Sequence, residues 1–166
     1  GAGVFIDGRV AKGRYGNAHE AGHIVVDFQG RMKCGCGGKG HWEAYCSGSG
    51  MPRFYAFLES VMKGYSKEVD TAYIFRAKED PVAEAVVKEC IKMNAAGLAT
   101  LIHLYDPEII AIGGGLALAR WDELIEPSIR TLEEYLAMKP PKMIKSPLKE
   151  ATLVGAALAV MRDGIP

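Results

Sequence analysis

Residues 34–40 read CGCGGKG, and a run of this kind holds neither a helix nor a strand by itself. Glycine loses the most backbone freedom on folding, so a segment this rich in it needs an outside agent to give it one shape. The residues around it supply one. Cys34 and Cys36 offer two sulfurs one residue apart, and His41 follows across Gly37, Gly38, Lys39 and Gly40. His23 opens an apolar, β-branched run, HIVVDF, which predicts a strand over 23–28 that can return to the same place. Two thiolates and two imidazoles complete a tetrahedral zinc site with no open position, the structural rather than the catalytic arrangement. Zinc bound there contributes folding free energy directly.

Other readings of the same residues stand beside this one. A Cys34–Cys36 disulfide is strained and suits an oxidising compartment. The two thiols can also be free, and His19 competes with His23 for the fourth ligand position. Cys46 and Cys90 fall in helical stretches and read as buried small hydrophobes, and His103, late in a long helix, reads as core or helix end.

The flanking pattern is that of an α/β chain. Residues 4–11 predict a hairpin turning at Asp7-Gly8, of the primed type. Residues 42–46 and 51–63 predict helices. Asp80-Pro81 is an N-cap followed by proline at the first helical position. From there an apolar face through Val82, Val86, Ile91, Leu98 and Ile102 carries a helix to about residue 104, with Glu84 and Lys88 paired outside. Residues 108–115 (EIIAIGGG) predict a short buried strand running into Gly113, Gly114 and Gly115. That triplet can be an ordinary tight turn, or it can let backbone N–H groups approach a phosphate. A helix follows Trp121, begun or kinked by Pro127, and a last one covers 151–161, where Gly155, Ala156 and Ala157 allow a neighbour to pack closely.

The chain has 166 residues and is 49% hydrophobic, enough for a core. Lys plus Arg and Asp plus Glu each total 20, which argues against a nucleic acid or a membrane surface bound through bulk charge. No apolar run reaches the roughly 20 residues that span a bilayer. The expectation is a soluble, cytoplasmic protein. The start at Gly1-Ala2-Gly3-Val4, without Met and directly before a strand, reads as a boundary inside a longer protein.

Taken together, residues 20–23 give E-x-G-H and residues 34–43 give C-x-C-G-x-x-G-H-x-E, with Ser47-Gly48 after them. This resembles the signature of the ROK family of repressors and sugar kinases. Asp106 to Gly115 is similar to the family's strand-to-glycine turn, and Leu153 to Ala157 to its last helix, so the likeness covers nearly the whole chain. One position departs: His41 stands where the family usually has a third cysteine. Imidazole is an equally good zinc ligand, so a Cys2His2 set of His23, Cys34, Cys36 and His41 is expected, although a weakened site is the other outcome.

The resemblance implies the C-terminal half of an actin-like (ribonuclease H-like) sugar kinase, an α/β fold with a mixed sheet flanked by helices and a zinc-bound loop. It implies that Glu20, His23 and Glu43 contact a hexose, and that Gly1, Gly3 and Gly113 to Gly115 lie at the site of ATP with Mg²⁺. The family's catalytic aspartate belongs upstream, so no catalytic residue is assigned in this chain; Asp7 and Asp27 do not match it. The expected activity, phosphorylation of glucose, an N-acetylhexosamine or a related hexose, therefore belongs to the full-length protein, the fragment alone being inactive. Expected partners are the hexose, ATP, the missing N-terminal half and a second copy in a homo-oligomer. The alternatives are a sugar-sensing repressor, which alone would bring in nucleic acid, and a non-catalytic sugar-binding zinc module.

Overall fold

In the computed structural model, which describes residues 1–163, one long helix organises the chain. This helix, α4 (Pro81–Tyr105), starts where Asp80 accepts the Val82 N–H at 3.0 Å and Pro81 occupies a position that needs no N–H. It ends at Asp106, in the left-handed region at φ 42°, whose N–H bonds to Ile102 O. Ahead of it come α1 (Glu43–Cys46), α2 (Gly50–Lys63) and α3 (Thr71–Arg76). Their apolar faces meet α4 in the main core, where Tyr45, Met51, Phe54, Tyr55, Val82, Val86 and Cys90 are wholly buried. Each large apolar side chain buried this way contributes roughly 1.5–3 kcal/mol.

The sheet expectation needs correcting. Instead of one mixed sheet, the described residues form two separate pairs. Strands β1 (Phe5–Ile6) and β2 (Arg9–Val10) make the expected antiparallel hairpin, with Asp7 and Gly8 both at positive φ as a primed turn demands. Strands β3 (Ile109–Ile112) and β4 (Lys142–Lys145) pair in parallel. Between them lie α5 (Gly115–Ala119), a π-helical turn at Trp121–Ile125, and α6 (Glu126–Thr131). Pro127 thus sits in the first turn of α6 and begins its regular part. Strand β3 is exposed on alternate residues rather than buried: Ile110 and Ile112 pack with Leu98, Ile102 and Leu132, while Ile109 and Ala111 face outward.

The predicted strand over 23–28 is absent. Residues Ala21–His23 form a 3-10 turn, and Val25 makes a single antiparallel bridge to His41. The N–H groups of Val26 and Asp27 both go to Gly40 O, and Trp42 N–H to Ile24 O. The run is therefore paired with the returning end of the glycine loop, which leaves no room for a regular ladder.

Helix α7 (Ala151–Asp163) is exposed along the residues whose surroundings are described, including Leu153, Val154, Leu158 and Met161, and among the described residues no atom beyond the helix's own backbone lies within 4 Å of the position a Cβ would take on Gly155. No helix among the described residues is long and apolar enough to cross a membrane.

Candidate metal centre and its flanking carboxylates

The glycine loop is a tight reversal. Cys34 N–H bonds to Gly38 O at 2.8 Å, Gly37 N–H to Cys34 O at 3.0 Å, and Gly40 N–H to Met32 O at 3.0 Å. Gly40 has φ 73°, and a Cβ there would run into Asp27 O, so two independent constraints require glycine. A Cβ on Gly38 would strike the His41 ring, which is how close the loop comes to that imidazole.

This reversal brings His23, Cys34, Cys36 and His41 together: one ligand atom from each lies within 4.8 Å of all the others. Cys34 Sγ is 3.7 Å from His23 Nδ1, and Cys36 Sγ is 3.3 Å from His41 Nδ1. With Zn–S of about 2.3 Å and Zn–N of about 2.0–2.1 Å, tetrahedral ligand atoms stand roughly 3.3–3.8 Å apart. The donor set suits a four-coordinate divalent ion, and these two separations fall within that range. All four cysteines are free thiols, so Cys34 and Cys36 are not bridged. Cys34 is buried, and burial, with the hydrogen bond to Glu43, holds its thiol above the usual range. A divalent cation reverses that preference by binding the thiolate.

His19 is not in the cluster. Its Nδ1 lies 2.8 Å from Tyr105 Oη, at the far end of α4.

Two carboxylates flank these four residues. Glu43, in the first turn of α1, accepts the Cys34 thiol at 3.1 Å and stands 3.9 Å from His23 Nδ1. Glu20 reaches the opposite nitrogen, with 3.8 Å between its carboxylate and His23 Nε2. The imidazole thus turns Nδ1 to the sulfur and Nε2 to Glu20. Both carboxylates remain partly exposed, at 59% for the Glu20 side chain and 43% for Glu43, and so can still accept hydrogen bonds from an incoming molecule.

The site rests on an underlying network. Asp27 is buried and accepts the Tyr45 hydroxyl at 2.5 Å, the Arg31 Nε–H at 3.0 Å, and the backbone N–H groups of Gln29 and Arg31. Burial pushes its carboxyl upward, but these bonds outweigh burial and leave it below the usual range. Burial and Asp27 together push the Tyr45 phenol up to about 12. Tyr45 also accepts from Met32 N–H at 2.9 Å, and Arg31 continues to Glu89 on α4. Asp27 is consequently a structural anchor for the base of the loop. At the loop's exit, Trp42 Nε1 donates to the buried Asn94 on α4 at 2.7 Å.

The remaining expected residues are more dispersed. Gly1 and Gly3 are exposed, and Ala2 N–H between them bonds to His19 O at 3.0 Å. Gly113 lies against Ser146 beyond β4; Gly114, at φ 95°, and Gly115 are open, and Gly115 begins α5. Asp7 is exposed in its hairpin turn. His103 accepts the Ala137 N–H at 3.2 Å, a helix-end anchor. Cys90 is buried and Cys46 half-buried, each thiol directed at a backbone carbonyl, of Tyr45 and Cys90 respectively.

An α/β chain that gathers two thiols and two imidazoles beside two open carboxylates defines a class of site: a candidate structural metal centre at the edge of a ligand-binding surface. The ROK family model matches residues 1–162, and the chain belongs to the ROK family. A glucokinase of Pyrobaculum calidifontis is 36% identical over 141 residues, which are 84% of this chain and 46% of that protein. An N-acetyl-D-glucosamine kinase of Pectobacterium carotovorum is 33% identical, covering 98% of this chain and 56% of its own length. Among solved structures, a ROK family glucokinase from Streptomyces griseus in complex with glucose and AMPPNP superposes with a TM-score of 0.73 at 29% identity, over 93% of this chain and 55% of that one. A ROK family transcriptional regulator, a homologue of the E. coli MLC protein, gives 0.71 at 31%, over 95% and 42%. The chain spans about half the length of the relatives it matches.

Proposed function

We propose that this chain is the C-terminal, sugar-contacting half of an ATP-dependent hexose kinase, with a structural zinc held by His23, Cys34, Cys36 and His41. The observation that carries the reading is the orientation of His23, one ring nitrogen toward Cys34 and the other toward Glu20, with Glu43 against both Cys34 and His23. Zinc held by these residues would fix the loop and take no part in bond breaking. His23 Nδ1, which faces Cys34, would be the nitrogen that holds it, so Nε2 would keep its proton and serve as a fixed donor toward a sugar oxygen. Glu20 and Glu43 accept hydrogen bonds from neighbouring hydroxyls, the arrangement that grips a vicinal diol. Phosphoryl transfer rests on positioning and charge stabilisation, and the base that takes the hydroxyl proton belongs to the rest of the protein. Gly1, Gly3 and Gly113 to Gly115 border the site of ATP with Mg²⁺, and the protein works as a cytoplasmic homo-oligomer.

The likeness to glucokinases and to an N-acetylglucosamine kinase supports a hexose as the acceptor. A second reading, a sugar-sensing repressor, is favoured by the likeness to the ROK transcriptional regulator. The two separate in one assay. The full-length protein, given ATP, Mg²⁺ and a panel of glucose, mannose, N-acetylglucosamine and N-acetylmannosamine, is expected to form a hexose phosphate. Hexose binding without turnover of any of them supports the repressor instead.

A further inference from the structure

His19 is neither glycine nor a member of the Cys/His cluster, yet it holds φ at 66°, in the left-handed region that residues with a Cβ seldom occupy unless their surroundings hold them there. Three contacts do so. The His19 carbonyl accepts the N–H groups of Ala21, at 2.7 Å, and of Ala2, at 3.0 Å. Its ring nitrogen Nδ1 meets Tyr105 Oη at 2.8 Å, and the two rings stand edge to face with centroids 5.2 Å apart. The other nitrogen, Nε2, is buried without a partner among the described residues, so the polar tether of this side chain is Tyr105 alone.

The next residue is Glu20, which enters the 3-10 turn Ala21–His23 with no side-chain cap of its own. The direction in which Glu20 leaves the backbone therefore depends on the reversal at His19. Tyr105 closes α4 immediately before the left-handed Asp106 that leads to β3 and Gly113. A single side-chain contact thus joins the Glu20 turn to the far end of the core helix, and the Ala2 bond adds the glycine-rich start of the chain to the same point.

We infer that the His19–Tyr105 pair is a positioning device that aims the Glu20 carboxylate at the sugar hydroxyls and so sets hexose affinity. This rests on the reading of Glu20 as a sugar contact. His19 touches no reacting atom; it acts through Glu20, and its effect falls on hexose binding.

Three variants of the full-length protein test it: Tyr105→Phe, which removes one oxygen; His19→Gly, which keeps the left-handed backbone and removes the ring; and the double variant. Readouts are KM for the hexose, KM for ATP, kcat, zinc content and melting temperature. Each single variant is expected to raise the hexose KM about tenfold with kcat, ATP KM and zinc content unchanged. The double variant should be no worse than the more severe single one, because both remove the same bond. An unchanged hexose KM in folded Tyr105→Phe overturns the inference, as does a loss spread evenly over every readout. Glu20→Gln is measured in parallel. If it leaves the hexose KM unaltered, the sugar reading of Glu20 fails and takes this inference with it. If it raises KM while the His19 and Tyr105 variants do not, only the positioning role fails.

Discussion

Trp42 is seated against Gly97: a Cβ on that glycine would come within 2.6 Å of the indole ring carbons. The absence of a side chain in the middle of α4 is what lets the exit of the glycine loop dock on the core helix, where Trp42 then donates to Asn94. Gly97→Ala adds a methyl group that α4 itself favours, yet it must displace the indole. The expected net result is a loss of about 1–3 kcal/mol of stability, the usual cost of overpacking, and a change in tryptophan fluorescence. Chemical denaturation of the two proteins measures both. A stabilised variant with unchanged emission contradicts this packing.

Beneath the loop, Tyr45 donates to Asp27 and accepts from Met32 N–H, all within the protein interior. Tyr45→Phe keeps the ring packing on Phe54 and deletes only the hydroxyl. A buried N–H then lacks its acceptor and a buried carboxylate loses one donor, a cost of about 1–3 kcal/mol. The loop loosens with it, so the metal affinity should fall as well. Equilibrium unfolding, with and without added zinc, reads the two effects separately.

At the start of α4, burial raises the Asp80 carboxyl, but hydrogen bonds from Tyr55, Tyr73 and the backbone N–H groups of Val82 and Ala83 outweigh it and bring it down to about 2. A depressed carboxylate contributes stability above its unfolded value, near 4, and loses that contribution as pH falls through its folded value. Melting temperature should therefore decline between about pH 4 and pH 2. Asp80→Ala should lower stability at pH 7 by about 1–2 kcal/mol, through loss of the helix cap, and flatten this acid limb. An acid limb of unchanged steepness in the variant excludes Asp80 as its source.

Glu43 tests the division of labour between metal and carboxylates. Glu43→Gln keeps the shape of the side chain and removes its charge. In the full-length protein it should lower kcat/KM for the hexose by roughly 10–100-fold, the value of one hydrogen bond to a charged group, with zinc content unaltered. Unaltered phosphorylation rules out the sugar contact; lost zinc means that Glu43 serves the metal.

Much of this was legible before the structure. The Asp80-Pro81 start, the long α4 and the hairpin at Asp7-Gly8 rest on local chemistry that the chain cannot easily evade. The gathering of His23, Cys34, Cys36 and His41 was legible because few functions suit cysteines in a glycine run. The features that differ from the sequence expectation depend on partners distant in the chain. The β-branched run after His23 suits a strand, but β-propensity depends on context, and its backbone groups went to Gly40 and Trp42 instead. The apolar run of β3 cannot by itself say whether one face or two are covered. Strand β4, with lysine at both ends, and the six-residue α3 are too short to show a period. Gly97 did leave a signal, a glycine inside a helical pattern, which marks close packing or a function. The left-handed backbone of His19 left none.

The proposal has one metal ion organise the sugar-contacting surface. Metal analysis of the purified full-length protein is therefore expected to give about one zinc per chain, lost together with hexose binding in Cys34→Ser. A folded protein that carries no zinc and binds hexose equally well with Cys34 replaced would contradict it.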